Sequence, residues 1–262
     1  MNTKLASVII LNVDVTSEKK DIVLKYVVEK SSKRDEKFYI VTPNPEILMY
    51  AKTHPQFRAI LNDARVALPD GVGVLMAGRI AGKSIIGRIT GVDFMLELCS
   101  EYAKRPITIG FLGGMGGVAK MTAECLQKKH PTLKVVFAED EWPTENKEER
   151  ISNVDKKDQD SKSNIQNSKP IPHIDMLFVA FGFPKQEEWI AKNLERLPVT
   201  GMMAVGGAFD FIAGKIPRAP KMVRSIGMEW AFRLLMQPSR FKRQLALPAF
   251  VLEVLKERIR KK

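Results

Sequence analysis

Histidine and cysteine are scarce in this chain, with three and two among 262 residues. Cys99 and Cys125 cannot build a disulfide framework, so nothing calls for an oxidising compartment. His54, His130 and His173 each stand alone beside a proline, and with so few cysteines they argue against a structural zinc site. The chain's one D-x-D triplet, Asp158-Gln159-Asp160, falls in a low-complexity stretch that yields such triplets by chance. No run of about 18 apolar residues occurs, so no transmembrane helix is expected. Met1 to Val13 lacks a basic region followed by a long apolar run and reads as a first strand rather than a signal peptide. A protein that is soluble or sits on a surface is expected.

What is present fits a globular protein: 45% hydrophobic and 27% charged residues, with length enough for one large α/β domain or two small ones. The charge is uneven. Of the formal +12, the stretch 215–262 carries +10, from 13 Lys+Arg against three Glu. Such asymmetry points to an anionic partner. The same stretch holds Trp230, Phe232, Leu235, Met236, Phe241, Phe250 and Leu252, and this apolar content favours a membrane surface over nucleic acid. An amphipathic helical hairpin packed on the body, with its basic face solvated, is the plainer alternative.

Short β-branched runs alternate with helical patterns. Ser7–Val13, Phe38–Val41, Val66–Leu68, Ile107–Leu112, Lys134–Phe137, Met176–Ala180 and Met202–Val205 read as buried strands. Pro45–Lys52, Gly91–Lys104 with Thr90 as N-cap, Gly117–Lys129 and Lys185–Leu197 read as helices. The alternation predicts a doubly wound, mostly parallel sheet, in which ligands bind outside the carboxyl ends of the strands. Residues 139–172 are polar and read as a solvated excursion without a catalytic role.

The unusual residues follow strands. Thr42-Pro43-Asn44-Pro45-Glu46 suits a helix start, with Asn44 either a simple cap or a ligand. Pro69-Asp70-Gly71-Val72-Gly73 puts a carboxylate on a turn, placed for general-base work or for an Asx-turn, and Gly71 lets a ligand approach closely. Gly113-Gly114-Met115-Gly116-Gly117 joins strand to helix as a phosphate-binding turn does. Read as Gly114-x-Gly116-x-x-Ala119, with Glu139 or Asp140 as ribose acceptor, it also satisfies the dinucleotide fingerprint. Pro184-Lys185-Gln186-Glu187 opens a helix, where Gln186 either meets a ligand or belongs to a solvated first turn. Gly206-Gly207-Ala208 implies another close approach, and Arg79, Lys83 and Arg88 among glycines read as a lid or as a basic loop.

In this order, and completed by Arg218-Ala219-Pro220, these motifs resemble the WecG/TagA/CpsF glycosyltransferase family over about 240 residues. The resemblance implies a Rossmann-like core over 1–214 and a basic, membrane-docking helical appendage over 215–262. It implies inverting transfer of an N-acetylhexosamine, ManNAc-like, from a UDP-sugar donor to a polyprenyl-diphosphate-linked sugar acceptor, in surface-polysaccharide synthesis. The enzyme would be cytoplasmic and peripheral on the inner face of the bacterial membrane. By the same resemblance Asp70 is the base, Thr42 and Asn44 line the donor site, and Arg88 and Gln186 meet the donor or its leaving diphosphate. Gly71, Gly113, Gly114 and Gly116 border the ligand, and Arg233, Arg240 and Arg243 are the appendage's arginines. Pro238 is expected to break the helix between Arg233 and Arg240.

Expelling UDP builds charge on the β-phosphate, which fixed cations and N–H groups stabilise. Arginine is therefore expected to stand in for a metal, and no cofactor is expected. A homo-oligomer is compatible with this reading, and nucleic acid is not an expected partner. An NAD(P)-dependent oxidoreductase built on the glycine turn is the alternative function, although the motif comes after three strands and no catalytic His, Lys or Tyr stands out.

Overall fold

The computed structural model describes residues 5–143, 171–237 and 246–260. Six strands, β3 (Phe38–Val41), β4 (Val66–Ala67), β5 (Thr108–Gly113), β6 (Lys134–Glu139), β7 (Ile174–Ala180) and β8 (Val199–Ala204), form one parallel sheet in the order β4-β3-β8-β7-β5-β6. The chain lays down β3 and β4, crosses to β5 and β6, then returns through β7 to β8 beside β3. The chain leaves β3 toward one face of the sheet and β8 toward the other, and open parallel sheets bind ligands in the crevice between such exits.

Each strand alternates between two cores. Tyr39, Val41, Leu177 and Val179 face one, beneath α2 (Pro45–Thr53), α3 (Pro55–Asp63), α4 (Val72–Ile80) and α7 (Lys185–Asn193). Phe38, Ile40, Met176 and Phe178 face the other, beneath α1 (Lys20–Lys33), α5 (Gly91–Tyr102), α6 (Val118–Lys129) and α8 (Ala208–Ile212). The expected doubly wound parallel sheet is what forms. Asn44 caps α2, its Oδ1 accepting the Ile47 N–H at 3.0 Å, and Thr90 caps α5 as anticipated.

The N-terminal run differs from expectation. Ser7–Val13 was to be one strand, but Leu11 and Asn12 take φ of 49° and 64°, closing a two-residue turn between β1 (Ser7–Ile10) and β2 (Val13–Thr16). These form a separate antiparallel hairpin, as left-handed turns allow. At the borders of the 139–172 excursion Glu139, Glu141, Pro143 and Pro172 are exposed, while Trp142 and Ile171 rest on the first core, the Trp142 ring 4.9 Å from Phe137 and 6.3 Å from Trp189. Asp158 and Asp160 lie outside the described residues.

After α8 come α9 (Lys221–Ser225), α10 (Glu229–Met236) and α11 (Ala246–Arg260). Helix α10 ends before Pro238, as expected. Helix α11 lies against α2 and α4, inserts Phe250 and Val254 into the first core, and ion-pairs Glu253 with Lys52. The last helix therefore shares the body's core, while α9 and α10 bury no residue. Among the described residues no helix is long and apolar enough to cross a membrane.

At the opposite end of the sheet from the strand exits, Asp175 is 1% exposed. It accepts from Arg34 Nε at 2.5 Å and Nη2 at 3.0 Å, and from the Thr108 N–H and hydroxyl at 2.8 and 2.9 Å. Burial pushes its carboxyl up, but Arg34 and Thr108 outweigh it and hold it below the ordinary value. A depressed pKa stabilises the fold above the unfolded value, and that contribution is lost as pH falls through the folded one. Asp175→Ala should therefore cost about 3 kcal/mol in denaturant melts at pH 7, with the difference from wild type shrinking below about pH 4.

Candidate active site

The exits of β3 and β4 meet at one cleft. The Leu68 N–H donates to Val41 O at 2.8 Å, the Asp70 N–H to Pro43 O at 3.1 Å, and the Ile89 N–H to Pro69 O at 3.1 Å. These bonds hold the Asp70 turn between the end of β3 and the loop leading to α5. Gly71 has φ of +90°, a conformation that side-chain-bearing residues resist, and it opens α4 beside Asp70. Asn44, Glu46, Asp70, Gly71, Arg88 and Arg233 line the cleft, with Phe211, Glu229, Trp230 and Leu247 completing its walls.

Burial pushes the Asp70 carboxyl up to about 6. The Gly91 N–H, at the start of α5, donates to it and pulls the value down, as do Arg88 and Arg233, while Glu229 pushes it up. A carboxylate poised near neutrality inside a cleft can accept a proton from an alcohol. Arg88 is fixed from behind by donating Nη2 to Arg224 O at 2.8 Å. Arg233 lies 4.8 Å over the Phe211 ring and against the turn after β8.

The structure gathers Asp70, Gly71, Asn44, Arg88 and Arg233 around the cleft, whereas Thr42, Gln186, Gly113, Gly114 and Gly116 do not line it. Thr42 is 7% exposed and packs beneath the cleft, 3.1 Å from where a Cβ on Gly91 would fall, so it supports the residue that bonds Asp70. Gln186 is 2% exposed and does not line the cleft. Its Oε1 accepts the Gly206 N–H at 2.9 Å, and its Nε2 donates to Glu187 Oε1 at 2.9 Å, so it fixes the β8 turn. Glu187 is itself wholly buried, and burial pushes its carboxyl up to about 7.

Gly113, Gly114 and Gly116 take φ of 100°, 76° and 72° at the exit of β5, four strands from β4. At about 4.8 Å per strand, that turn is about 19 Å across the sheet from Asp70's strand. Asp140 accepts the Gly117 N–H at 2.9 Å, so the acid read as a ribose acceptor closes the glycine turn instead. Arg240 and Arg243 lie outside the described residues.

Sequence reasoning missed Glu46, Glu229 and Phe211 as cleft residues, and counted Trp230 only among the apolar residues of the tail. The spacing of Glu229 and Arg233, four apart on one helix face, was the available signal.

The profile described as "Glycosyl transferase WecG/TagA/CpsF family" matches residues 8–262. This chain belongs to that family. A relative from Bacillus spizizenii (strain ATCC 23059 / NRRL B-14472 / W23) is 34% identical over 218 residues, 83% of this chain and 79% of the relative. One from Staphylococcus aureus (strain MW2) is 32% identical over 218 residues, 83% and 80% of the two chains. One from Bacillus subtilis (strain 168) is 31% identical over 223 residues, 85% and 81%. Each of the three is named N-acetylglucosaminyldiphosphoundecaprenol N-acetyl-beta-D-mannosaminyltransferase. The WecG/TagA/CpsF chain described here is accordingly a glycosyltransferase, and the oxidoreductase alternative has no support.

The seat of Arg233 can be probed without touching the arginine. A Cβ on Gly207 would collide with Arg233 Nη2, the far end of a flexible side chain. Gly207→Ala should leave the melting temperature within about 2 °C of wild type while lowering turnover by about tenfold or more, checked by a thermal melt beside an initial-rate assay.

Proposed function

We propose that the chain transfers an N-acetylmannosamine-type sugar from UDP to a GlcNAc carried on a polyprenyl diphosphate, at the cytoplasmic face of the membrane. The single observation carrying this reading is the Asp70 carboxylate, poised near neutrality in a cleft walled by Arg88 and Arg233. The relatives' name supplies the sugar and the acceptor.

In this reading the Asp70 carboxylate takes the proton from the acceptor hydroxyl as its oxygen attacks the donor's anomeric carbon. The bond to the UDP oxygen breaks on the opposite side, and the configuration inverts. Arg88 and Arg233 receive the charge that appears on the leaving diphosphate. The Gly206–Gly207 turn, two strands from β4, continues the cation wall. The donor's nucleoside extends from there toward the glycine turn of β5, which α8 joins to the cleft: Phe209 packs near Gly114, and Phe211 lines the wall.

The base must be ionised to act, so activity rises with pH through its pKa. The rate of UDP release from UDP-N-acetylmannosamine and a GlcNAc-diphosphate lipid should rise with an acid limb near pH 6. Asp70→Asn should abolish this release, and EDTA should leave wild-type turnover intact. Full turnover by Asp70→Asn would remove Asp70 from its role.

Membrane docking rests on a different observation. Met222, Ile226, Leu235, Leu252 and Ile259 are 81, 72, 79, 59 and 73% exposed, within the stretch that holds most of the chain's excess positive charge. Apolar side chains enter the headgroup boundary, and each nearby Lys or Arg adds about 1 kcal/mol on anionic lipid. Ile226→Glu and Leu235→Glu together should weaken sedimentation with phosphatidylglycerol vesicles by about tenfold or more. Undiminished sedimentation would show this surface to be plain solvated protein.

A further inference from the structure

Helix α10 brings Glu229, Trp230 and Arg233 to the cleft, yet none of its residues is buried. Packing into a core therefore does not hold it in place. Polar contacts converge where it begins, and they centre on Arg218, a residue of the Arg218-Ala219-Pro220 motif that the mechanism leaves without a role. Arg218 Nη1 lies 2.8 Å from Asp93 Oδ1, and its Nε lies 3.2 Å from Glu229 Oε1. Its side chain is 18% exposed, so water screens these pairs less than at an open surface.

The two carboxylates belong to two elements that each bring a group to Asp70. Asp93 stands in the first turn of α5, where its Oδ2 accepts the Thr90 hydroxyl at 2.6 Å. Thr90 caps that helix, and the neighbouring Gly91 N–H is the one that donates to Asp70. Glu229 opens α10, four residues before Arg233. We infer that Arg218 is a positioning residue: by bridging Asp93 and Glu229 it clamps the start of α5 to the start of α10, and so sets the distance between the Asp70 carboxylate and the arginine wall.

No other described residue duplicates the bridge. Arg224 reaches Asp93 at a looser 3.6 Å, and its Nε is taken by Ala219 O at 3.0 Å. The planar guanidinium suits the task because two of its nitrogens face two acids at once. Arg218 also neutralises Glu229, one of the charges acting on Asp70. The groups facing Asp70 are the Gly91 N–H from α5, Arg88 from the preceding loop, and Glu229 and Arg233 from α10, with Glu46 of α2 lining the same cleft.

This inference rests on Asp70 being the base, and the test separates the two. The full chain is assayed for UDP release with UDP-N-acetylmannosamine and a GlcNAc-diphosphate lipid across pH, using Arg218→Gln, Glu229→Gln, the double variant and Asp70→Asn. Arg218→Gln should lower kcat by about tenfold or more and move the acid limb of kcat/KM upward by on the order of one unit, because Glu229 is unmasked. Glu229→Gln should move that limb downward. The double variant should return the limb toward wild type while kcat stays low, since the clamp is still missing. A merely structural arginine would cost melting temperature and leave the limb where it was, and that result overturns the inference. Should Arg218→Gln not fold, Glu229→Gln with a wild-type limb and wild-type kcat overturns it as well. Wild-type behaviour of Arg218→Gln beside a dead Asp70→Asn sinks the clamp alone, whereas an active Asp70→Asn sinks the base.

Discussion

Burial and the Glu229 charge raise the proton affinity of the Asp70 carboxyl, while the Gly91 amide and two guanidinium groups lower it, leaving the group near neutrality. That balance needs contributions from widely separated parts of the chain. The turn itself follows β4, the amide opens α5, Arg88 comes from the loop between α4 and α5, and Glu229 and Arg233 come from α10. The parallel sheet matters because it delivers the first three to one edge. The C-terminal helices matter because they bring the last two back over it.

The same arrangement gives the arginines two uses. Before reaction they temper the burial of an acid that would otherwise hold its proton too tightly. During reaction, in the proposed transfer, they receive the charge that develops on the departing diphosphate. A wall built from α10 ties chemistry to the segment with the exposed apolar residues and the excess positive charge. In the proposed reading, docking and turnover therefore share one piece of chain.

Most of the sheet was legible because buried parallel strands are written as continuous apolar runs, as Phe38–Val41 and Met176–Ala180 illustrate. Asn44 and Thr90 were legible as caps because their hydrogen bonds are local. The hairpin at Leu11-Asn12 was not, since a leucine at positive φ gives no warning in an apolar run. Trp142 and Ile171 were lost in a polar neighbourhood, their partners being distant in sequence.

For the site, Asp70 was legible as a carboxylate on a turn after a strand, and the family resemblance gave it a role. Gln186 carried the expected chemistry but spends its amide on the Gly206 backbone, a contact between residues 20 apart that no local pattern encodes. The glycine turn of β5 was read correctly as a turn, while its distance from Asp70 follows only from strand order. Arg218 was visible as part of a motif, but it lies in a loop and its partner Asp93 comes from a helix more than a hundred residues earlier.

The most direct test is a crystal structure with an unreactive UDP-sugar analogue and a GlcNAc-diphosphate acceptor. The account places the acceptor hydroxyl within about 2.6–3.2 Å of an Asp70 oxygen, with the donor diphosphate against Arg88 and Arg233. A complex whose two sugars meet elsewhere on the sheet, with Asp70 facing neither, would contradict it.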